Sequence, residues 1–158
     1  MEQGFAVDFP ILADARGAPA LPDDWRGTIS HKRELALALV APAEGLWRMG
    51  VDLEGLEERR ATIASQVLTP NEMQRFGSDW QKVLVAFSLK EAVYKALDPF
   101  VHRFVGFKEA VVELHDDGSA EIQLQLKKRE GPFVCEGFWR RMGGRWVVTS
   151  ARIRPGGS

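Results

Sequence analysis

A disulfide within the chain is excluded, because Cys135 is its only cysteine, and a reducing compartment suits such a sequence. Histidine is nearly as scarce. His31, His102 and His115 stand at no zinc-ligand spacing, which removes the common structural zinc motifs. No apolar run approaches the roughly 20 residues that span a bilayer, and the first residues lack the basic region and apolar core of a signal peptide. The chain therefore reads as cytoplasmic and without a membrane partner. Charge of one sign is lacking too: the formal net charge is −1 and the pI about 6.3. Nothing global draws the chain to nucleic acid, although a small anionic ligand still fits if cations cluster locally.

What is present is enough for one ordinary globule, since 158 residues with 45% apolar content can bury a sizeable core. Residues 1–26 carry Pro10, Pro19 and Pro22 among small residues with no sustained period, and read as an extended lead-in or as part of something larger. From Thr28 the texture changes. Leu35, Leu37 and Leu39 alternate with Ala36, Ala38 and Val40, the pattern of a buried strand. A turn at Pro42, Glu44 and Gly45 then leads into a second strand from Trp47 to Leu53, so that the two should form a hairpin.

Thr69-Pro70-Asn71-Glu72 is a helix start with a capping box. Ser78 and Gln81 repeat that logic for a longer helix running to Asp98-Pro99. Two strand pairs follow: Phe107 to Leu114 with Ala120 to Leu126, then Phe133 to Arg140 with Arg145 to Ile153, and a frayed tail from Pro155. The expected class is α+β, an antiparallel meander packed on a long helix.

Two places carry chemistry. Glu91 and Lys95 lie one helical turn apart, and stepping back along the same face gives Ser88 and Leu84, an otherwise uncharged strip. The same spacing is also the commonest Glu-Lys pair of a solvated helix surface. On the strand Gly50-Val51-Asp52-Leu53-Glu54, alternation sends Val51 and Leu53 to one face and both acids to the other. Neighbours on one face are roughly 7 Å apart at the backbone, within reach of one cation. A strand with a wet polar face explains that pattern equally well. Taken together, three acids on two rigid elements with a lysine one turn on form a hard-oxygen site suited to magnesium held against a phosphate.

The segments Gly50-Val51-Asp52-Leu53-Glu54 and Phe87-Ser88-Leu89-Lys90-Glu91-Ala92-Val93-Tyr94-Lys95 resemble the two signature motifs of the phosphopantetheinyl transferases. Thr28-Ile29-Ser30-His31 is similar to a third, the serine-histidine segment of the large surfactin- and enterobactin-type enzymes. Phe87, where tryptophan is frequent, resembles the enterobactin subgroup. The resemblance runs from about Ala15 to the end of the chain. It implies residues 1–45 as a partial N-terminal lobe or lead-in and 46–158 as a catalytic lobe of that fold.

The activity so implied is transfer of the phosphopantetheine arm of coenzyme A to a serine of an acyl or peptidyl carrier protein, releasing 3′,5′-ADP, as fatty-acid, polyketide and nonribosomal-peptide synthesis require. Carried over by position, Asp52, Glu54 and Glu91 would hold magnesium. Glu91 would also take or relay the serine proton. Lys95 would neutralise the leaving phosphate, with Lys90 a second cation beside it. Ser30 and His31 would meet the 3′-phosphate of the coenzyme.

Two departures stand out. Lys32 follows Ser30-His31 where a small hydroxyl residue is common. Ala18 occupies the basic position of the segment Arg16-Gly17-Ala18-Pro19, leaving Arg16 as its substitute for binding the coenzyme. Most of the first half of the larger enzymes is also missing. Homo-oligomerisation or a complementing lobe is therefore expected, so that cations from a neighbour complete the site. Two other functions fit the residues less closely: a carrier-protein-binding module without turnover, and a metal-dependent nuclease. The nuclease lacks the basic stripe that would track a nucleic-acid backbone.

Overall fold

The computed structural model describes residues 10–57 and 63–157; the start of the expected lead-in, residues 1–9, lies outside them. Strand β1 (Trp25–Lys32) turns back through Arg33-Glu34 into β2 (Leu35–Pro42), with Lys32 opposite Leu35. Arg33 takes the left-handed conformation this tight connection needs (φ 52°). Strand β3 (Arg48–Gly55) begins a five-stranded antiparallel sheet. Helices α1 (Ile63–Val67), α2 (Pro70–Phe76) and α3 (Trp80–Val101) follow, and the chain then returns as β4 (Ala110–Leu114), β5 (Ser119–Leu124), β6 (Phe133–Met142) and β7 (Trp146–Pro155). The sheet order is β3-β7-β6-β5-β4, and the class is α+β as expected.

The sequence places β2 wrongly. It pairs with β1 and not with β3, whose ladder partner is β7. Arg33-Glu34 carries no ordinary turn signal, whereas the break at 42–45 is marked by proline and glycine, which is why the sequence suggests the hairpin turn there. Nor is β2 buried, since Ala36, Ala38, Leu39 and Val40 are all exposed. The second edge of β3 is closed by side chains instead of a ladder: Val51 N–H donates to Thr28 Oγ1 (3.2 Å) and Leu53 N–H to Ser30 Oγ (3.2 Å). This satisfies edge donors that would otherwise be buried without partners.

Helix α3 is the axis of the fold, and it is almost wholly enclosed. The sheet covers one side through Ala92, Ala96, Ala151 and Ile153, while α1, α2 and β4 cover the other through Val67, Phe76, Leu89 and Val112. Its cap is Asp79, which accepts from the N–H groups of Gln81 and Lys82, and not Ser78. The helix also continues through Pro99 to Val101 because tertiary contacts hold the extra turn, among them Phe100 against Phe133 at 5.5 Å. At the other end of the chain Pro155 remains paired with Phe133, and Gly156 N–H bonds Pro132 O. The tail as far as Gly156 is thus tied down, not frayed. Cys135 is half-buried, and burial pushes its thiol up to about 11, away from the thiolate form that reacts. Among the described residues no helix is long and apolar enough to cross a membrane.

The capping box at Thr69 is present, and its carboxylate does more than cap. Glu72 Oε2 accepts from Thr69 N–H (2.7 Å) and from Lys90 Nζ (2.8 Å), and Glu72 Oε1 accepts from Val112 N–H (2.8 Å). Lys90 also donates to Val67 O (2.9 Å) and is 0% exposed. Burial lowers its proton affinity, and Glu72 opposes that loss. One carboxylate thereby joins α2, α3 and β4. Removing one member of such a buried pair leaves an uncompensated charge, so Glu72→Gln is expected to destabilise the fold by about 3–5 kcal/mol. Urea denaturation tests this, and a loss under about 1 kcal/mol would show that the pair is dispensable.

Candidate active site

The site lies where β3 crosses α3. Gly50 allows that crossing: a Cβ there would stand 1.8 Å from Ala92 O. Two residues on, Asp52 is turned to the same side and meets the helix. Ser88 Oγ donates to its Oδ2 (2.8 Å), and Ser30 Oγ and Lys95 Nζ approach its Oδ1 (3.1 Å each). Lys95 also donates to Val51 O (2.8 Å). Ser88 shares a further bond with Thr149 (2.9 Å), which lies directly opposite Asp52 on β7. Asp52 is therefore a buried carboxylate with both oxygens occupied, the condition under which burial of a charge is tolerated.

Glu54, next on the same face, pairs with Lys32 at 2.8 Å. Glu91 behaves differently. Burial raises its pKa first, repulsion from Asp52 raises it further, Lys95 opposes the rise, and Glu54 adds to it. The three expected acids thus share one electrostatic environment. Among the described residues no three of His, Cys, Asp and Glu are gathered closely enough to grip a metal as they stand, because lysines hold two of the acids. The donor set is nevertheless of the right kind. Three hard carboxylates repel one another here, and a divalent cation relieves that repulsion.

The other expected residues divide. Ser30 reaches the site, but its side chain is buried on Asp52. His31 is exposed and lines an open groove of about 500 Å³ together with Ser30, Asp52, Lys95 and Gly17. Arg16 makes a two-point contact with Asp98, its Nε at 2.6 Å from Oδ2 and its Nη2 on Oδ1; this pairing holds the Asp98 carboxyl below the usual range. Arg16 and Asp98 line a second groove of about 320 Å³ with Glu91 and Tyr94. The Tyr94 hydroxyl in that groove is buried with no hydrogen-bond partner among the described residues. Lys90 does not join the cluster, since α3 turns its ammonium into the core.

The sequence places Ser88 on the Glu91–Lys95 face without giving it a role, and it gives none to Thr149 or Tyr94. Ser88 and Tyr94 lie three residues either side of Glu91, so helical spacing was the available signal. For Thr149 no local signal exists; only the β3–β7 register brings it there.

An antiparallel sheet packed on one long helix is a fold this chain shares with solved ACPS structures. An ACPS–CoA complex from Chronobacterium ammoniagenes superposes with a TM-score of 0.54 at 19% identity, covering 72% of this chain and 100% of that one. The apo form gives 0.55 at 19% identity, covering 69% and 96%. The chain belongs to the 4′-phosphopantetheinyl transferase superfamily, whose sequence model matches residues 48–149, and the 4′-phosphopantetheinyl transferase N-terminal domain matches residues 1–41. It is 29% identical to the 4′-phosphopantetheinyl transferase Svp of Streptomyces mobaraensis, over 94% of this chain and 65% of that protein. It is 28% identical to PptT of Mycobacterium tuberculosis, over 88% and 64%, and 34% identical to enterobactin synthase component D of Salmonella austin, over 68% and 46%. The chain thus spans less than two thirds of the length of each of these relatives.

Because burial and the neighbouring acids Asp52 and Glu54 disfavour the charged form of Glu91, neutralising it should help the fold. Its folded pKa is raised, so the cost is present near neutrality and disappears as pH falls and the acid protonates. Glu91→Gln is expected to melt higher than the parent at pH 7.5, with the gap closing in acid. A lower melting temperature for the variant at pH 7.5 would contradict this electrostatic account.

Proposed function

We propose that this chain transfers the 4′-phosphopantetheine arm of coenzyme A to a serine of an acyl or peptidyl carrier protein, releasing 3′,5′-ADP. The observation that carries the reading is the meeting of Asp52 from β3 with Glu91 and Lys95 from α3, in a chain of this superfamily. The carrier serine Oγ forms a bond to the β-phosphorus, and the bridging P–O bond to the nucleotide side breaks. Its proton passes to Glu91, whose raised proton affinity suits a general base. The electron pair departs on 3′,5′-ADP, where the Lys95 ammonium neutralises the new charge. Magnesium, held by Asp52, Glu54 and Glu91, would supply charge compensation for the pyrophosphate.

His31 lies on the open wall of the Asp52–Lys95 groove, free of the packing that fixes Ser30. We assign it to the 3′-phosphate of the coenzyme, and Arg16, at the edge of the Glu91 groove, to a further contact with the coenzyme. The outward face of the β1–β2 hairpin, with Ile29 and Val40 exposed at 43% and 38%, is the surface that a second copy or a complementing lobe would cover.

Incubation with coenzyme A, magnesium and a panel of apo carrier proteins, read by intact mass, tests the whole reading. Asp52→Ala and Glu91→Gln are each expected to lower the modification rate by about 10²–10⁴. A parent rate in either variant with excess magnesium would refute the mechanism. His31→Ala should weaken coenzyme A by about 10- to 100-fold, as for a lost charged hydrogen bond, while leaving dephospho-coenzyme A unchanged. Equal losses for both ligands would remove His31 from the 3′-phosphate. Light scattering is expected to find a dimer or larger assembly; a strict monomer that turns over unaided would leave the hairpin face without a partner.

A further inference from the structure

Strand β1 meets β3 through the side chains of one of its faces. Thr28 Oγ1 accepts from Val51 N–H, and Ser30 Oγ accepts from Leu53 N–H and donates to Asp52 Oδ1 (3.1 Å). Lys32 is next on that face by the two-residue period of a strand, and it donates to Glu54 Oε2 (2.8 Å). Thr28 and Ser30 bring neutral hydroxyls. Lys32 brings a full charge, and the pair it makes is largely enclosed, the Lys32 and Glu54 side chains being 19% and 11% exposed. Its backbone is held at the end of β1 by the register with Leu35.

The other lysine of the cluster is tied differently. Lys95 reaches Asp52 Oδ1 at 3.1 Å and is anchored on Val51 O at 2.8 Å, so it keeps a bond to the fold when another cation takes the acid. The carboxylates of Asp52, Glu54 and Glu91 thus face the ammonium groups of Lys32 and Lys95, and one negative charge is left over. A divalent cation brings two positive charges to a cluster that lacks one. An ammonium already on Glu54 repels that cation, and enclosure weakens the screening between them. A small hydroxyl residue, common at this position in the enzymes the chain resembles, would leave Glu54 without this charge.

We propose that Lys32 is a resident competitor for the cation site: by occupying Glu54 it lowers the affinity of the coenzyme-free protein for a divalent cation. The proposal rests on the cation site of the transferase reading above. The protein alone then loads its cation poorly, and the phosphates of the coenzyme bring the ion in with oxygens that Lys32 does not hold. Its test uses Mn2+ as the probe, titrated without coenzyme and read by calorimetry and by the spin-resonance signal of the free ion. Lys32→Gln removes the charge and keeps most of the side chain. It should bind Mn2+ about tenfold or more tighter than the parent, as for one charge-assisted hydrogen bond removed from competition, whereas Lys32→Arg should stay close to the parent. Without metal, Lys32→Gln should melt lower than the parent, because Glu54 loses its counter-charge, and at one fixed Mn2+ concentration it should recover more. Equal Mn2+ affinity in the parent and Lys32→Gln, or weaker binding by the variant, would overturn the competition. So would a lack of Mn2+ binding in all three proteins, which would remove the cation site as well. Modification of an apo carrier protein, followed alongside by intact mass, reports on the transferase reading separately. Turnover with equal Mn2+ affinities sinks the competition alone. Tighter binding by Lys32→Gln with no turnover in any protein supports the competition and sinks the transferase.

Discussion

Where β3 crosses α3 there is room for a hydrogen atom and nothing larger, because a side chain on Gly50 would run into the Ala92 carbonyl. That contact fixes the separation of strand and helix, and with it the meeting of Asp52 with Ser88 and Lys95. It also explains how a carboxylate can be buried at a sheet edge. The strand is brought so close that the Ser88 hydroxyl and the Lys95 ammonium of the helix replace water around Asp52, while Thr28 and Ser30 saturate the edge donors beside it.

Helix α3 divides its charges by direction. Lys90 and Glu91 are adjacent in sequence, and consecutive helical residues point about 100° apart. Lys90 consequently enters the core and pairs with Glu72, where its role is to join α2 and β4 to the helix. Glu91 emerges among the acids of β3 and is the least compensated of them. A site that keeps one acid under electrostatic stress needs a rigid support. The buried pair supplies it one residue away.

Much of this was legible in the chain itself. The 69–72 capping box, the 3.6-residue periodicity of α3 and the two later hairpins are local patterns, set by side-chain chemistry acting over a few residues, and they appear where the sequence places them. So does the sorting of Val51 and Leu53 to one face and Asp52 and Glu54 to the other, since strand pleating has period two. The misreadings were of a different kind. The β1–β2 turn at Arg33-Glu34 lacks the usual glycine or asparagine, and the apolar run of β2 resembled a core strand although most of it faces outward.

What the sequence determined by itself, then, was helices α2 and α3 and the strands from β2 to β7, the α+β class, and the nearness of Glu91 to Lys95, because each depends on spacing along one element; β1 and α1 were not legible in it. The tertiary structure alone decided that β3 pairs with β7 and not β2, that Thr149 stands beneath Asp52, that Lys90 is spent on Glu72, and that Arg103 joins two loops at the mouth of the Glu91 groove. Each of those pairs groups that are remote in sequence, and the partner of a buried charge or an open strand edge is chosen by which surface arrives there when the chain closes.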